Sequence, residues 1–140
     1  MAYVVESFEH QLDAKNRIRI PAKLHIDLGK EFYLMYGSDG CISVYSKESL
    51  DARLARLTEI RSGGGDQLLA MRAVLGSIAS VTEDDQGRIL LPSKLRQRAG
   101  ITKSVVSIGM LDHIEIWSKE RYEETVGQMS VDEALKLLDF

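Results

Sequence analysis

Short stretches of this chain alternate between polar and apolar residues, the period of a half-buried strand. From Glu6 to Leu12, the residues Phe8, His10 and Leu12 share one face, and Glu9 and Gln11 share the other. Arg17-Ile18-Arg19-Ile20 repeats the pattern, with the isoleucines toward a core. Glu31–Tyr36 and Cys41–Tyr45 are strand-like runs on either side of the turn cluster Gly37-Ser38-Asp39-Gly40. The period then changes to that of a helix. Leu50, Leu54 and Leu57 form one stripe after a capping Ser46, and Leu68, Met71, Leu75 and Ile78 form a second, over Gln67–Ile78. Between them, Arg61-Ser-Gly-Gly-Gly-Asp66 predicts a break and a flexible linker. A second set of strands spans Ser80 to Trp117, and Ser118 starts a helix that breaks near Gly127. Ser130-Val-Asp-Glu133 is a capping box, predicting a last helix over Val131–Leu138 with an unpartnered apolar stripe.

The two sets of strands are copies of one another. Asp13-Ala-Lys-Asn-Arg17-Ile-Arg-Ile-Pro21 recurs as Asp84-Asp-Gln-Gly-Arg88-Ile-Leu-Leu-Pro92, at an offset of 71 (84 − 13). The match continues through Lys23/Lys94, Leu24/Leu95 and Gly29/Gly100. It then becomes 72 (114 − 42) for Ile42/Ile114, Val44/Ile116 and Tyr45/Trp117, which predicts one inserted residue between Gly100 and Gly109. Each copy reads as strand, turn, strand, short helix, strand, turn, strand. Asp13 and Asp84 can bond the backbone two residues on, and Asn16 and Gly87 suit the positive φ of a tight turn. Pro21 and Pro92 suit the start of a short helix, placed at Lys23–Leu28 in the first copy, and Gly29 and Gly100 its end. The bland alternative is that each Asp–Arg pair only stabilises its turn.

Composition changes this picture little. An apolar content of 44% and a charged content of 28% are ordinary for a soluble domain. No apolar run approaches a membrane span and the N-terminus lacks a signal pattern, so a cytoplasmic protein is expected. The single cysteine, Cys41, sits in an apolar strand and is expected to be a small buried residue. Charge is more informative in its distribution than in its total of −3. Lys15, Arg17, Arg19, Lys23 and Lys30 against Asp13 and Asp27 give the first copy +3. Arg88, Lys94, Arg96, Arg98 and Lys103 against Asp84 and Asp85 give the second the same. The basic charge gathers where the repeated turns are.

No catalytic site is expected. His10, His25 and His113 share no metal-ligand spacing with each other or with Cys41, and His10 is expected to be packed and hydrogen-bonded. The triple glycine has no preceding strand and no Gly-Lys-Ser/Thr, so it is not a phosphate loop. Asp13 and Asp84 each have an arginine four residues on, which keeps a carboxylate ionised rather than raising its pKa. No metal, cofactor or small-molecule ligand is implied. Basic turns on a two-stranded ribbon do suit the DNA major groove, where Arg and Lys reach phosphates and guanine edges.

The motif His10-Gln-Leu-Asp13-Ala-Lys-Asn-Arg17-Ile-Arg-Ile-Pro21-Ala-Lys23, with Asp84-Asp-Gln-Gly-Arg88-Ile-Leu-Leu-Pro92, resembles the twin Asp-x-x-x-Arg signature of the bacterial MraZ family. The endings Val44-Tyr-Ser-Lys-Glu48 and Ile116-Trp-Ser-Lys-Glu120 resemble it too, so the likeness runs from about Phe8 to Tyr122. Each half also resembles an AbrB-type swapped-hairpin half. The resemblance implies a mainly β fold with flanking helices (α+β), a pseudo-twofold swapped-hairpin β-barrel. It implies segments at 6–62 (first repeat), 63–77 (linker and connecting helix), 78–128 (second repeat) and 129–140 (helical tail). It implies a nucleoid-associated, ring-like homo-oligomer. The expected activity is that of a transcriptional regulator, mainly a repressor, on direct DNA repeats upstream of the division and cell-wall gene cluster. Matched to the motif, Lys15, Arg17 and Arg88 are the expected DNA contacts, with Arg19, Lys23 and Lys94 beside them; Asp13, Asn16, Asp84 and Gly87 shape the loops. The family usually has Gly at the position of Asn16, which sets the first loop back from a phosphate, and commonly Lys at that of Gln86, which leaves the second loop less basic; the first loop is expected to dominate. An antitoxin-type or oligomer-forming interaction module of the same fold is the alternative.

Overall fold

The structure is a computed structural model that describes residues 2–60 and 64–140. Its strands are β1 (Ser7–Gln11), β2 (Arg17–Arg19), β3 (Glu31–Tyr36), β4 (Ile42–Tyr45), β5 (Ala79–Thr82), β6 (Arg88–Leu90), β7 (Ser104–Gly109) and β8 (Ile114–Ser118). Its helices are α1 (Lys47–Ile60), α2 (Gly65–Ser77), α3 (Ser93–Arg98), α4 (Lys119–Thr125) and α5 (Val131–Leu137). The fold is mixed, a mostly antiparallel sheet with helices around it.

The repeats exchange strands. β1 of the first copy pairs with β7 of the second, and β5 of the second pairs with β3 of the first. The hairpins β3–β4 and β7–β8 join through β4 and β8, giving the order β1-β7-β8-β4-β3-β5. β2 and β6 pair with each other as a separate two-stranded ribbon. The hydrogen-bonded ladder ends at β1 and β5, so no closed ladder is detected among the described residues.

Neither copy has a complete core of its own. Ile18 and Ile89, Ile20 and Leu91, Leu24 and Leu95, and Ile42 and Ile114 are equivalent pairs, all buried in a single cluster. The pairing also refines the repeat. Tyr33 faces Tyr45 as Val106 faces Trp117, an offset of 73 (106 − 33). The Leu12 amide donates to the Lys103 carbonyl as that of Glu83 does to Lys30, with the same offset (103 − 30). Two residues are therefore inserted between Gly100 and Lys103, and the β7–β8 turn gives one back, where a single insertion was expected.

The first copy has no helix at Lys23–Leu28. The segment forms turns, with Leu24 and His25 amides donating to the Pro21 carbonyl. Its counterpart α3 is rich in Lys, Leu, Arg and Gln, which favour helix, and ends at Gly100 (φ +67). The first copy instead carries His25, the β-branched Ile26 and Asp27, whose φ of 55 ends any helical run.

Other elements follow the pattern. Ser46, Ser118 and Ser130 accept from the amides of Ser49, Arg121 and Glu133 as helix caps. α4 passes into a 3-10 turn at Val126–Gln128. α2 starts two residues earlier than expected, at Gly65, and the predicted linker residues Arg61, Ser62 and Gly63 lie outside the described residues. Cys41 is fully buried, and burial together with the nearby Glu115 carboxylate pushes its thiol up to about 12. His10 is half-buried and shares a 2.7 Å hydrogen bond with the buried Ser107.

Candidate functional site

The two Asp-x-x-x-Arg turns are built alike and meet. In the first, one Asp13 oxygen accepts from the amides of Lys15 and Arg17, both at 2.9 Å, and the other accepts from Arg17 Nε at 2.8 Å. In the second, Asp84 accepts from the amides of Gln86 and Arg88 at 2.9 Å and from Arg88 Nε at 3.0 Å. The amides of Asp13 and Asp84 close the turns by donating to the carbonyls of Arg17 and Arg88. The left-handed residue each turn needs is Asn16 (φ 60) in one and Gly87 (φ 75) in the other. The backbone amides donating to Asp13 and Asp84, with the arginines behind them, hold both carboxyls below the ordinary 3.8.

Each arginine also reaches across. Arg88 Nη1 is 3.7 Å from Asp13, and Arg17 Nη1 is 4.0 Å from Asp84. The four side chains form a quartet on the outer face of the β2–β6 ribbon. Ile18 opposes Ile89 on the inner face, each 1% exposed, while Arg17 opposes Leu90 and Arg19 opposes Arg88 on the outer one. The Arg19 guanidinium donates to the Gln86 carbonyl at 2.5 Å, so a side chain of the first repeat leans on the second loop. Alternation along the strand predicts that Arg19 faces outward; its partner, 67 positions away, has no local signal.

The predicted residues are thus separated into groups. Asp13, Asn16, Arg17, Arg19, Asp84, Gly87 and Arg88 converge on the ribbon, with Lys15 exposed at the first tip. Arg17 and Arg88 are half-buried, each held against its own aspartate through Nε. Lys23 lies apart in an exposed ion pair with Glu6 (3.7 Å), and Lys94 lines a cleft of about 590 Å³ with Tyr36 and Ile78. Sequence reasoning missed Arg98 and Arg121 as structural residues. Arg121 donates to the carbonyls of Gly40 and Arg98 and ties the β3–β4 turn to the end of α3. Among the described residues, no three His, Cys, Asp or Glu side chains group as metal ligands do, and no helix is long and apolar enough to cross a membrane.

The family described as "MraZ protein, putative antitoxin-like" matches the chain twice, over residues 4–67 and 75–136. The chain belongs to the MraZ family. It is 40% identical over 116 residues to the transcriptional regulator MraZ of Lachnoclostridium phytofermentans, covering 83% of this chain and 82% of that one. Against that of a Thermoanaerobacter species, identity is 42% over 117 residues, with 84% and 82% covered. Against that of Clostridium beijerinckii it is 38% over 120 residues, with 86% and 84% covered. These MraZ relatives carry the name of a regulator, which is not an enzyme class.

Proposed function

We propose that this protein is a sequence-specific DNA-binding transcriptional regulator whose DNA-reading surface is the β2–β6 ribbon with its two clamped turns. The observation that carries the reading is the outer ribbon face, where Arg17, Arg19 and Arg88 are held in fixed positions by carboxylates and a carbonyl. Pre-ordered arginines lose little side-chain entropy on binding, and a ribbon of this width fits the major groove. The strand exchange supports reading the fold as a swapped-hairpin barrel. Exposed apolar residues on α2 (Leu69, Leu75), on α5 (Val131, Leu135) and just after it (Leu138) support a homo-oligomer, ring-like as the family resemblance implies. Such an oligomer would bind direct repeats upstream of the division and cell-wall genes, mainly as a repressor, in the cytoplasm on the nucleoid.

The antitoxin-type alternative draws on the same quartet, since arginines bound to carboxylates also serve as a pure structural lock. Fluorescence anisotropy decides between them, with DNA from upstream of the gene against scrambled DNA at two salt concentrations. The expected result is salt-sensitive binding that prefers the native sequence. Lys15→Ala should lower the slope of log affinity against log salt by about 1. It is a cleaner probe than Arg17→Ala, because Lys15 has no ion-pair partner among the described residues, while Arg17 has two. Equal binding to both DNAs would remove sequence specificity. No binding to either would favour the protein-partner module.

A further inference from the structure

The ribbon is symmetric in shape but not in chemistry. Its pairing maps onto itself when the repeats are interchanged, with Ile18 and Ile89 opposed at the centre. One diagonal of the outer face, Arg17 and Arg88, is identical in the two repeats. The other is Arg19 in one and Leu90 in the other, positions that correspond at the offset of 71 (90 − 19). Leu90 is 61% exposed, although its neighbours Ile89 and Leu91 are buried. Strand alternation turns Leu90 to the outer face, where it stands as an apolar side chain among the arginines of the ribbon.

The two ends of the face also differ in what surrounds these residues. Leu90 lies opposite Arg17, beside the first turn, where the Leu91 amide donates to the Asn16 carbonyl and the tip carries Lys15. Arg19 lies opposite Arg88, beside the second turn, whose tip carries Asp85 and Gln86. One end is thus an arginine and a leucine beside a lysine tip, and the other a pair of arginines beside an acidic tip. The hydrogen bond to the Gln86 carbonyl orients the Arg19 guanidinium, while nothing comparable acts on Leu90.

We propose that Arg19 and Leu90 give the ribbon a direction on DNA, with Arg19 taking a guanine edge at one end and Leu90 a thymine methyl at the other. The inference rests on the DNA-binding reading above. Arginine presents parallel donors that match guanine O6 and N7, and an apolar side chain discriminates thymine through its C5 methyl. A ribbon equal at both ends would read an element related to itself by a twofold axis. This one reads an element without such an axis, so each chain sits on its site in one orientation.

The test is selection of bound duplexes from a random pool by the full-length protein, followed by sequencing. Wild-type protein should enrich a motif unlike its own reverse complement. Leu90→Arg combined with Gln86→Lys should shift the motif toward a palindrome. Replacing the assigned thymine by uracil should weaken wild-type binding about fourfold, the worth of one methyl group buried against leucine. It should leave Leu90→Ala unaffected, and that exposed substitution keeps the test open should the double variant fail to fold. A palindromic wild-type motif, or equal loss from uracil in both proteins, overturns the assignment and leaves DNA binding intact. A change of oligomer mass in Leu90→Ala with unchanged base preference also overturns it, because Leu90 would then face a second copy. Failure to enrich any sequence would instead sink the DNA-binding reading on which the assignment rests.

Discussion

The first and second loops reach one geometry from different residues. Both Asp–Arg clamps have the same five-residue frame and near-identical distances, although the tips are Ala-Lys-Asn in one and Asp-Gln-Gly in the other. The clamp depends on Asp, Arg and one residue able to adopt positive φ. The other tip positions are free to differ, and they do so in charge. Local geometry is set by a few hydrogen bonds, whereas the surface that a partner meets is set by the residues those bonds do not use. Behind the loops, the halves differ more. His10 bonds Ser107 in one half, where the equivalent pair is Val81 and Leu34 in the other. His25 is bonded to Glu83, whereas Arg96, its counterpart at the offset of 71 (96 − 25), has a buried Nε with no partner among the described residues.

The largest test of this equivalence lies in the core. Ile18→Ala and Ile89→Ala should each cost about 2–5 kcal/mol, because each side chain is fully buried at the centre of the ribbon. Chemical denaturation should give matched losses for the two. Strongly unequal losses would mean that the halves do not contribute as equivalents.

A smaller difference separates the loop tips. Gly87→Ala places a Cβ at φ 75 and 3.3 Å from a Glu83 oxygen, and should cost about 1–2 kcal/mol. Asn16→Gly should change thermal stability by only a few tenths of a kcal/mol, as asparagine tolerates this conformation and glycine adopts it freely. A large loss from Asn16→Gly would show that the asparagine side chain has a role that glycine cannot fill.

The mildest effects are in titration. Burial depresses the pKa of His10 below 6.5. At His113 burial also lowers the pKa, but the neighbouring carboxylates of Glu115, 3.9 Å from Nε2, and Asp112, hydrogen-bonded to Nδ1 at 2.7 Å, outweigh it and carry the group above 6.5. Histidine ring signals followed by NMR should therefore show His113 gaining its proton at higher pH than His10. By linkage, His10 costs stability as pH falls from 6.5 through its depressed pKa. His113 contributes stability that is full below 6.5 and lost as pH rises through its raised pKa. His113→Gln should remove the second component, seen as a flatter thermal midpoint across that range. Reversed titration order would contradict the packing of both sites.

Much of the frame was legible in the residues themselves. The turn positions and the caps at Ser46, Ser118 and Ser130 depend on contacts within a few positions, the repeat is read directly from the residues, and alternation along each strand marks the inward faces of Ile18 and Ile89. The absent helix after Pro21 was not legible from the repeat, because the matched Pro, Leu and Gly hid a different propensity at His25, Ile26 and Asp27. The register of β7 was obscured for a similar reason. Two residues were gained before the strand and one was lost after it, which aligned sequence shows as a single step.

The amino-acid sequence by itself determined that two equivalent turns exist, each closed by its own aspartate and arginine, because those bonds span only two to four residues. Tertiary structure alone decided that the turns meet. Each half exposes an apolar strand face that it cannot bury alone, so β1 and β5 cross to the opposite repeat, and the ribbon forms between copies. That burial, acting between residues far apart in the chain, is what sets Arg88 against Asp13 and Arg19 against the second loop.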